Sequence, residues 1–74
     1  MTMENEKIAV EFGALVREAR EKQGLIQGDV AAKVGVSRSY YCYIESGSRE
    51  IYFSLALKIC KVLKLDLNEL MSRL

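Results

Sequence analysis

Apolar residues recur along most of the chain at spacings of three, four or seven positions, which is the period of a helix face. In the first segment this apolar stripe consists of Ile8, Phe12, Leu15, Val16 and Ala19, and charged residues occupy the other faces. No alternating, strand-like run exceeds four residues. The pattern therefore predicts an all-α chain.

Glycines and one serine mark where the helices end and begin. Gly24, Gly35 and Gly47 each follow a segment of helical period, so we predict that they are left-handed C-terminal caps. Ser37 stands where an N-cap is needed, because its hydroxyl can accept a hydrogen bond from a free backbone N–H. The three middle helices are expected at about 27–34, 38–46 and 52–63.

The last two helices are each expected to bury one side. Asp66 and Glu69 have the spacing of a capping box, which opens a fifth helix over about 67–74. The inward residues are expected to be Phe53, Ala56, Ile59, Cys60 and Leu63 in the fourth helix and Leu70, Met71 and Leu74 in the fifth.

The second and third helices are joined by a very short connection. Only Gly35 and Val36 separate the second helix from Ser37, the cap of the third. Two short helices across so tight a turn meet at a steep angle instead of lying antiparallel. This is the helix-turn-helix arrangement, in which the second of the two helices projects where a DNA major groove can receive it.

Composition excludes several kinds of site. The 74 residues are 50% apolar, which fits one small domain over residues 1–74. The chain has no His, so Ser/His or Cys/His nucleophile pairs and His-bearing zinc sites are excluded. Cys42 and Cys60 lie 18 residues apart with no second pair, so neither a thiolate zinc site nor a disulfide framework is indicated, and the glycines are too scattered for a phosphate loop. We therefore expect no enzyme, no metal and no cofactor.

Nothing in the sequence indicates a membrane protein. The longest uncharged stretch, 51–57, has seven residues, whereas a bilayer-spanning helix needs about 20. The N-terminus lacks a basic region followed by an apolar one, so it does not look like a secretion signal. We expect a cytoplasmic protein without a membrane partner.

The middle of the chain resembles the helix-turn-helix of lambda-repressor-like (Cro/Xre-type) regulators. The resemblance is carried by residues 24–39 and by the Ile-Glu-Ser-Gly-Ser-Arg segment at 44–49. Segments 57–63 and 67–70 are similar to the fourth and fifth helices of that family. The resemblance extends over about 9–72 and implies the compact five-helix lambda-repressor-like fold, with the helix-turn-helix at about 27–46. It also implies a function in binding double-stranded DNA.

The resemblance implies a role for each matching residue at the start of the third helix. Ser37, Arg38, Ser39 and Tyr43 match positions that face the major groove, and Arg38 can bond two acceptors of a guanine with its planar guanidinium. An Arg-Ser-Tyr beginning resembles restriction–modification controller proteins, which adds Tyr40. The base-reading residues are expected to be Arg38, Ser39, Tyr43 and Tyr40. The alternative for the tyrosines is packing in the core, which we expect for Tyr41 with its hydroxyl at the surface.

Other matching residues are expected to hold the DNA backbone or the fold. Gln27 matches the glutamine that typically bonds a phosphate and supports the recognition helix, and it lies at a helix N-terminus that favours anions. The expected phosphate contacts are Gln27, Ser37, Ser46 and Arg49. Arg20 and Glu45 match a partly buried ion pair that ties the first helix to the third.

The sequence departs from the family where it would bind DNA. Ile26 replaces the usual Ser/Thr cap, Gly28 a usual Glu and Ser48 a common Lys, and the net charge is only +1. Weak binding by one copy favours a dimer. The last ten residues are more apolar than one short helix needs, so they are the expected dimer surface, the alternative being that they only close the core. This set consists of Leu65, Leu67, Leu70, Met71 and Leu74.

These patterns favour a sequence-specific regulator that binds a palindromic operator as a homodimer and either blocks RNA polymerase or touches it from an adjacent site. A phage-type repressor, a restriction–modification controller and an antitoxin-like autorepressor stay open. The competing hypothesis is a helical protein-interaction module that uses its tyrosines and leucines. A redox role for Cys42 would rest on one thiol with no activating neighbour.

Overall fold

The computed structural model describes the backbone of residues 3–74 and the side chains of residues 5–74. Residues 1 and 2 of the expected domain lie outside the described residues. The described part is all-α and contains no strand, which confirms the predicted fold class. The helices are α1 (Met3–Lys22), α2 (Gln27–Val34), α3 (Arg38–Ser46), α4 (Phe53–Leu63) and α5 (Leu67–Arg73).

The predicted ends of the helices are confirmed. Gly24, Gly35 and Gly47 all have positive φ, as left-handed caps require. Ser37 caps α3, because its Oγ accepts a hydrogen bond from the N–H of Tyr40 at 3.1 Å. Asp66 caps α5, although its carboxylate accepts from the N–H of Asn68 at 2.9 Å and not from the third position that a capping box uses.

The core lies where α1 to α4 meet. Each of these helices contributes large side chains that are almost fully buried, and α5 contributes none. Two leucines of α5, Leu67 and Leu70, are partly buried against the core. The largest fully buried side chains are Tyr41, Ile44, Ile59, Leu63, Val16 and Val30.

A close helix crossing fixes α3 against α1. The carbonyl groups at the end of α3 approach the backbone of α1 at Gly13, where a methyl group would touch the carbonyl oxygen of Ile44 and lie 2.7 Å from that of Glu45. Only glycine allows this approach without a shift of one helix. The crossing brings the last turn of α3 close to the C-terminal half of α1.

Four residues that the sequence predicted to be inward are exposed. Phe53 is 71% exposed because it begins α4 at the edge of the molecule, and Leu55 takes the core position. In α5, Met71 is 68% exposed and Leu74 is half-exposed, because a seven-residue helix presents one narrow face and Leu67 and Leu70 use it. Ile8 is also exposed, one turn before α1 reaches the core.

Candidate nucleic-acid interface

The turn between α2 and α3 is held by backbone hydrogen bonds. The N–H groups of Gly35 and Val36 both donate to the carbonyl of Ala31, at 2.9 and 3.0 Å. Val30 and Ala31 of α2 are buried in the same core cluster as Tyr41 and Ile44 of α3. This arrangement leaves the opposite side of α3 exposed, as a helix that enters a DNA groove requires.

The exposed side of α3 and the start of α2 form one shallow cleft of about 480 Å³. It brings together three of the expected base-reading residues and two of the expected phosphate contacts, along with Cys42, for which the sequence indicates a groove-side or surface thiol but no contact with DNA. The lining residues are Gln27, Arg38, Ser39, Cys42, Tyr43 and Ser46.

The remaining expected DNA contacts lie beside this cleft. Tyr40 is partly buried and packs against the core, so its ring is less available than that of Tyr43. Ser37 is exposed, and its hydroxyl hydrogen stays available because Oγ acts as the acceptor in the cap. Arg49 stacks on Tyr43, with its Cζ 4.8 Å from the ring centroid.

The last turn of α3 is polar and well ordered by hydrogen bonds. Ser46 Oγ donates to the carbonyl of Tyr43 at 3.0 Å and lies 2.8 Å from Ser48 Oγ. The stacking of Arg49 on the Tyr43 ring contributes about 0.5–1 kcal/mol at an exposed site. Together these contacts hold the guanidinium of Arg49 beside the base-reading residues.

An ion pair lies directly beneath the cleft. Arg20 Nε donates to Glu45 Oε2 at 2.6 Å, Arg20 Nη2 donates to Oε1 at 3.0 Å, and Arg20 Nη1 donates to the carbonyl of Leu25 at 2.8 Å. The side chains are 12% and 3% exposed. These are the two residues that the family resemblance pairs, and the planar guanidinium meets the carboxylate with two parallel bonds.

The surroundings of Glu45 decide its charge. Burial alone would raise the pKa of the Glu45 carboxyl, but hydrogen bonds from Arg20 and Gln27 outweigh burial and hold that pKa below its usual value. The bond to Glu45 likewise raises the pKa of Arg20. Both groups are therefore charged at neutral pH.

Tyr41 differs from its prediction at one atom. The ring is in the core as predicted, but its hydroxyl is buried and has no hydrogen-bond partner among the described residues, so the prediction that it reaches the surface is wrong. Burial raises the pKa of Tyr41, and the neighbouring Glu45 carboxylate raises it further. The hydroxyl lies near Arg20 of α1 and Glu45 of α3, and such long-range packing is not visible in helical periodicity.

A second, apolar groove of about 670 Å³ lies among α1, the start of α4 and α5. Tyr52 and Phe53, 63% and 71% exposed, lie at its edge with Ile8 and Met71. Of the expected dimer residues, Met71 and Leu74 are exposed, whereas Leu65, Leu67 and Leu70 are partly buried against the core. Tyr52 was not predicted as a surface residue, although two adjacent aromatic residues at the start of a helix are a recognisable signal.

Comparison with known proteins agrees with this geometry. A family model described as helix-turn-helix matches residues 16–70, which include all of α2, α3 and α4. The chain belongs to this helix-turn-helix family. It is a DNA-binding transcriptional regulator of Cro/Xre type. Members of this family bind double-stranded DNA, and the family is not an enzyme family.

Two curated relatives have the same level of identity. The control protein C.MunI of Mycoplasma sp is 36% identical over 66 residues, which cover 88% of this chain and 89% of the relative. An uncharacterized HTH-type transcriptional regulator of Archaeoglobus fulgidus is 36% identical over 55 residues, which cover 74% of this chain and 79% of the relative.

Two solved structures share the fold. The restriction-modification controller protein C.AhdI from Aeromonas hydrophila superposes with a TM-score of 0.76 at 35% identity, over 84% of this chain and 94% of that one. The clp gene regulator ClgR from Corynebacterium glutamicum gives a TM-score of 0.81 over 88% of this chain and 69% of that one, and at 23% identity this likeness concerns the fold alone.

Two kinds of feature are absent from the described part of the chain. None of its helices is long and apolar enough to cross a bilayer. No group of three or more Cys, Asp or Glu side chains is arranged there to hold a metal ion.

Proposed function

We propose that this regulator binds, as a homodimer, an operator made of two inverted half-sites. The observation that carries the proposal is the cleft, because Arg38, Ser39 and Tyr43 lie together on the exposed side of the helix that follows the turn. In a helix-turn-helix protein this side enters the major groove, with the first residues of the helix deepest.

Arg38 is the main base-reading residue in this proposal. It begins α3 and is exposed, so its guanidinium can bond O6 and N7 of one guanine, a contact that gives about 1–3 kcal/mol of discrimination. Ser39 and Tyr43 can donate hydroxyls to neighbouring bases, and the ring of Tyr43 can contact a thymine methyl. Tyr40 is partly buried, so in this proposal it contacts bases only at the edge of the protein–DNA interface.

The phosphate contacts surround this base-reading centre. Gln27 begins α2, where free backbone N–H groups already favour an anion. Ser37 offers its hydroxyl hydrogen, and Arg49 offers a charged guanidinium that Tyr43 holds in place. The hydrogen of Ser46 is donated to the carbonyl of Tyr43, so Ser46 would have to turn its hydroxyl to bond a phosphate. Such contacts fix the position of the protein on DNA without reading sequence.

One copy has little electrostatic attraction for DNA. Residues 25–50, which contain the helix-turn-helix, carry three basic and three acidic side chains. These are Lys33, Arg38 and Arg49 against Asp29, Glu45 and Glu50. Since phosphate contacts supply most non-specific affinity, two copies on two half-sites are needed for tight binding.

The apolar groove is the proposed dimer surface. In a two-fold dimer the same patch must fit itself, and here a projecting aromatic side chain, Phe53, lies next to a groove that also includes Ile8 and Met71. Phe53 of one copy would enter the groove of the other. The expected dimer residues Met71 and Leu74 are exposed enough to contribute directly, and Leu65, Leu67 and Leu70 would support them from beneath.

Similarity to C.MunI and C.AhdI favours a controller-like role over a phage-type repressor or an antitoxin-like autorepressor. Acting on DNA, the protein would work in the cytoplasm, and it would regulate transcription by blocking RNA polymerase or by touching it from an adjacent site. The competing protein-interaction module would bind a protein partner through the tyrosines of α3 and the leucines near the C-terminus.

Selection from a random duplex pool at moderate salt tests the proposal. We expect an inverted repeat whose half-sites lie about one helical turn, roughly 34 Å, apart. The Arg38→Ala variant is the matched control, which should keep non-specific binding and lose the preferred base. If no motif is enriched and binding is insensitive to salt, operator binding is wrong and the protein-interaction hypothesis replaces it.

A further inference from the structure

The side-chain amide of Gln27 is held from both ends. Its Nε2 donates to Glu45 Oε1 at 3.1 Å, and its Oε1 accepts from the thiol Sγ of Cys42 at 3.3 Å. A carboxylate can only accept hydrogen bonds, so the nitrogen end must face Glu45 and the oxygen end must face Cys42. The chemistry of the two partners thus determines the orientation of this amide.

The fixed amide keeps one unused hydrogen-bond donor and one unused acceptor. Nε2 has a second hydrogen, and Oε1 has a second lone pair. Gln27 is partly buried and lines the cleft together with Arg38 and Ser46, so a phosphate beside the cleft comes close to this amide. A phosphate oxygen can accept the free hydrogen.

Cys42 is placed to bridge the two helices of the motif. It lies one helical turn after Arg38 on the same side of α3, and it is exposed, yet its thiol reaches back to the first residue of α2. Without this donor the bond to Glu45 would still keep the nitrogen end of the amide towards the carboxylate, but it would be the amide's one remaining side-chain restraint. The plane of the amide could then pivot about that bond, and its second N–H would lose its fixed direction.

We propose that Cys42 is a positioning residue for DNA binding, which orients the Gln27 amide so that its free N–H faces a backbone phosphate. The inference rests on the phosphate contact proposed above for Gln27. It assigns no redox chemistry to the thiol, whose part is to donate one hydrogen bond. It also gives Glu45 a second role, because the same carboxylate that pairs with Arg20 holds the other end of the amide.

Three variants test this inference: Cys42→Ala, which removes the donor, Cys42→Ser, which keeps one, and Gln27→Ala, which removes the amide. Binding to the selected operator and to a non-specific duplex is measured over a range of salt in reducing buffer. Removal of one hydrogen bond corresponds to a weakening of about twofold to tenfold per half-site. Because the Gln27 amide is uncharged and neutralises no phosphate, the slope of log K against log salt should keep its wild-type value while the affinity falls.

The expected result is that Cys42→Ala approaches Gln27→Ala in affinity for both duplexes, while Cys42→Ser restores most of the wild-type affinity. The side-chain NH₂ signals of Gln27 in NMR give an independent readout without DNA. These signals should shift in Cys42→Ala and return towards the wild-type position in Cys42→Ser. Thermal unfolding should not change, because Cys42 is on the surface.

Two results would overturn the inference, and they differ. If Gln27→Ala weakens binding but Cys42→Ala binds with wild-type affinity, the phosphate contact stands and the positioning role of Cys42 is wrong. If Gln27→Ala also binds like wild type, the phosphate contact itself is wrong, and positioning fails with it.

Discussion

Replacing Arg20 with Met tests whether the buried ion pair holds α1 and α3 together. The substitution keeps most of the apolar length of the side chain but leaves Glu45, 3% exposed, without its charged partner. Breaking a buried pair in this way destabilises a protein by about 3–5 kcal/mol, because the remaining charge stays poorly solvated. A domain of this size has a total unfolding free energy of about 4–11 kcal/mol. The variant should therefore be marginally folded at neutral pH.

The pH dependence of this destabilisation follows from Glu45. In the wild type its folded pKa is lower than its unfolded value, so the carboxylate contributes stability that is present above the unfolded pKa of 4.5 and is lost as pH falls through the folded pKa. In Arg20→Met burial dominates and the folded pKa rises above the unfolded value. Protonation of Glu45 then reduces the destabilisation of the variant as pH falls. The difference in stability between the two proteins should be largest near neutral pH and shrink towards pH 4.

Urea unfolding followed by far-UV circular dichroism at several pH values measures this difference. The double variant Arg20→Met/Glu45→Leu is the control, because it removes both charges and should recover much of the stability that Arg20→Met loses. A destabilisation below about 1 kcal/mol at pH 7, or one that does not vary with pH, would show that the pair is solvated and that the reasoning is wrong.

Other substitutions test separate features of the fold and the proposed surfaces. Gly47→Ala should destabilise the protein by more than about 1 kcal/mol in urea unfolding, because φ at this residue is 73° and the new methyl would lie 2.6 Å from the Cα of Val10. An unchanged urea midpoint would contradict this prediction. Gly28→Ala should stabilise it by about 0.5–1 kcal/mol in the same assay, since no atom lies within 4 Å of the added methyl, and a decrease in stability would reveal an unseen contact. Phe53→Asp should shift the protein from dimer to monomer in sedimentation without a decrease in helix content, whereas an unchanged dimer would exclude the apolar groove as its surface.

Short-range features were predictable from the sequence because their causes are local. Gly35 and Gly47 end helices through their own backbone freedom, and Ser37 caps α3 through a bond that spans only three residues. The connection between α2 and α3 is as short as the sequence predicts, since three residues, 35–37, separate the two helices. All residues that line the cleft except Cys42 could be named in advance as expected DNA contacts, and for those on α3 the spacing along the helix determines which side they share.

Long-range features were not predictable in the same way. The burial of the Tyr41 hydroxyl and the exposure of Phe53 depend on how the other helices pack around these two residues. Helical periodicity gives the face of a residue but not its distance from the edge of the core. The bond from Cys42 to Gln27 joins residues 15 apart on different helices, and no local pattern indicates it.

The position of Glu45 links the stability of this fold to its DNA-binding surface. One oxygen of its carboxylate accepts only from Arg20, and the other accepts from both Arg20 and Gln27. A substitution at Glu45 would therefore weaken the packing of α3 on α1 and release Gln27 at the same time. Weak operator binding by such a variant could not by itself be interpreted as removal of a DNA contact. Cys42 is the informative position, because it is exposed and its bond goes to Gln27 and not to the ion pair, so binding can change there while the unfolding free energy stays constant. Gln27→Ala also removes a bond to Glu45, so its unfolding free energy has to be measured beside its affinity.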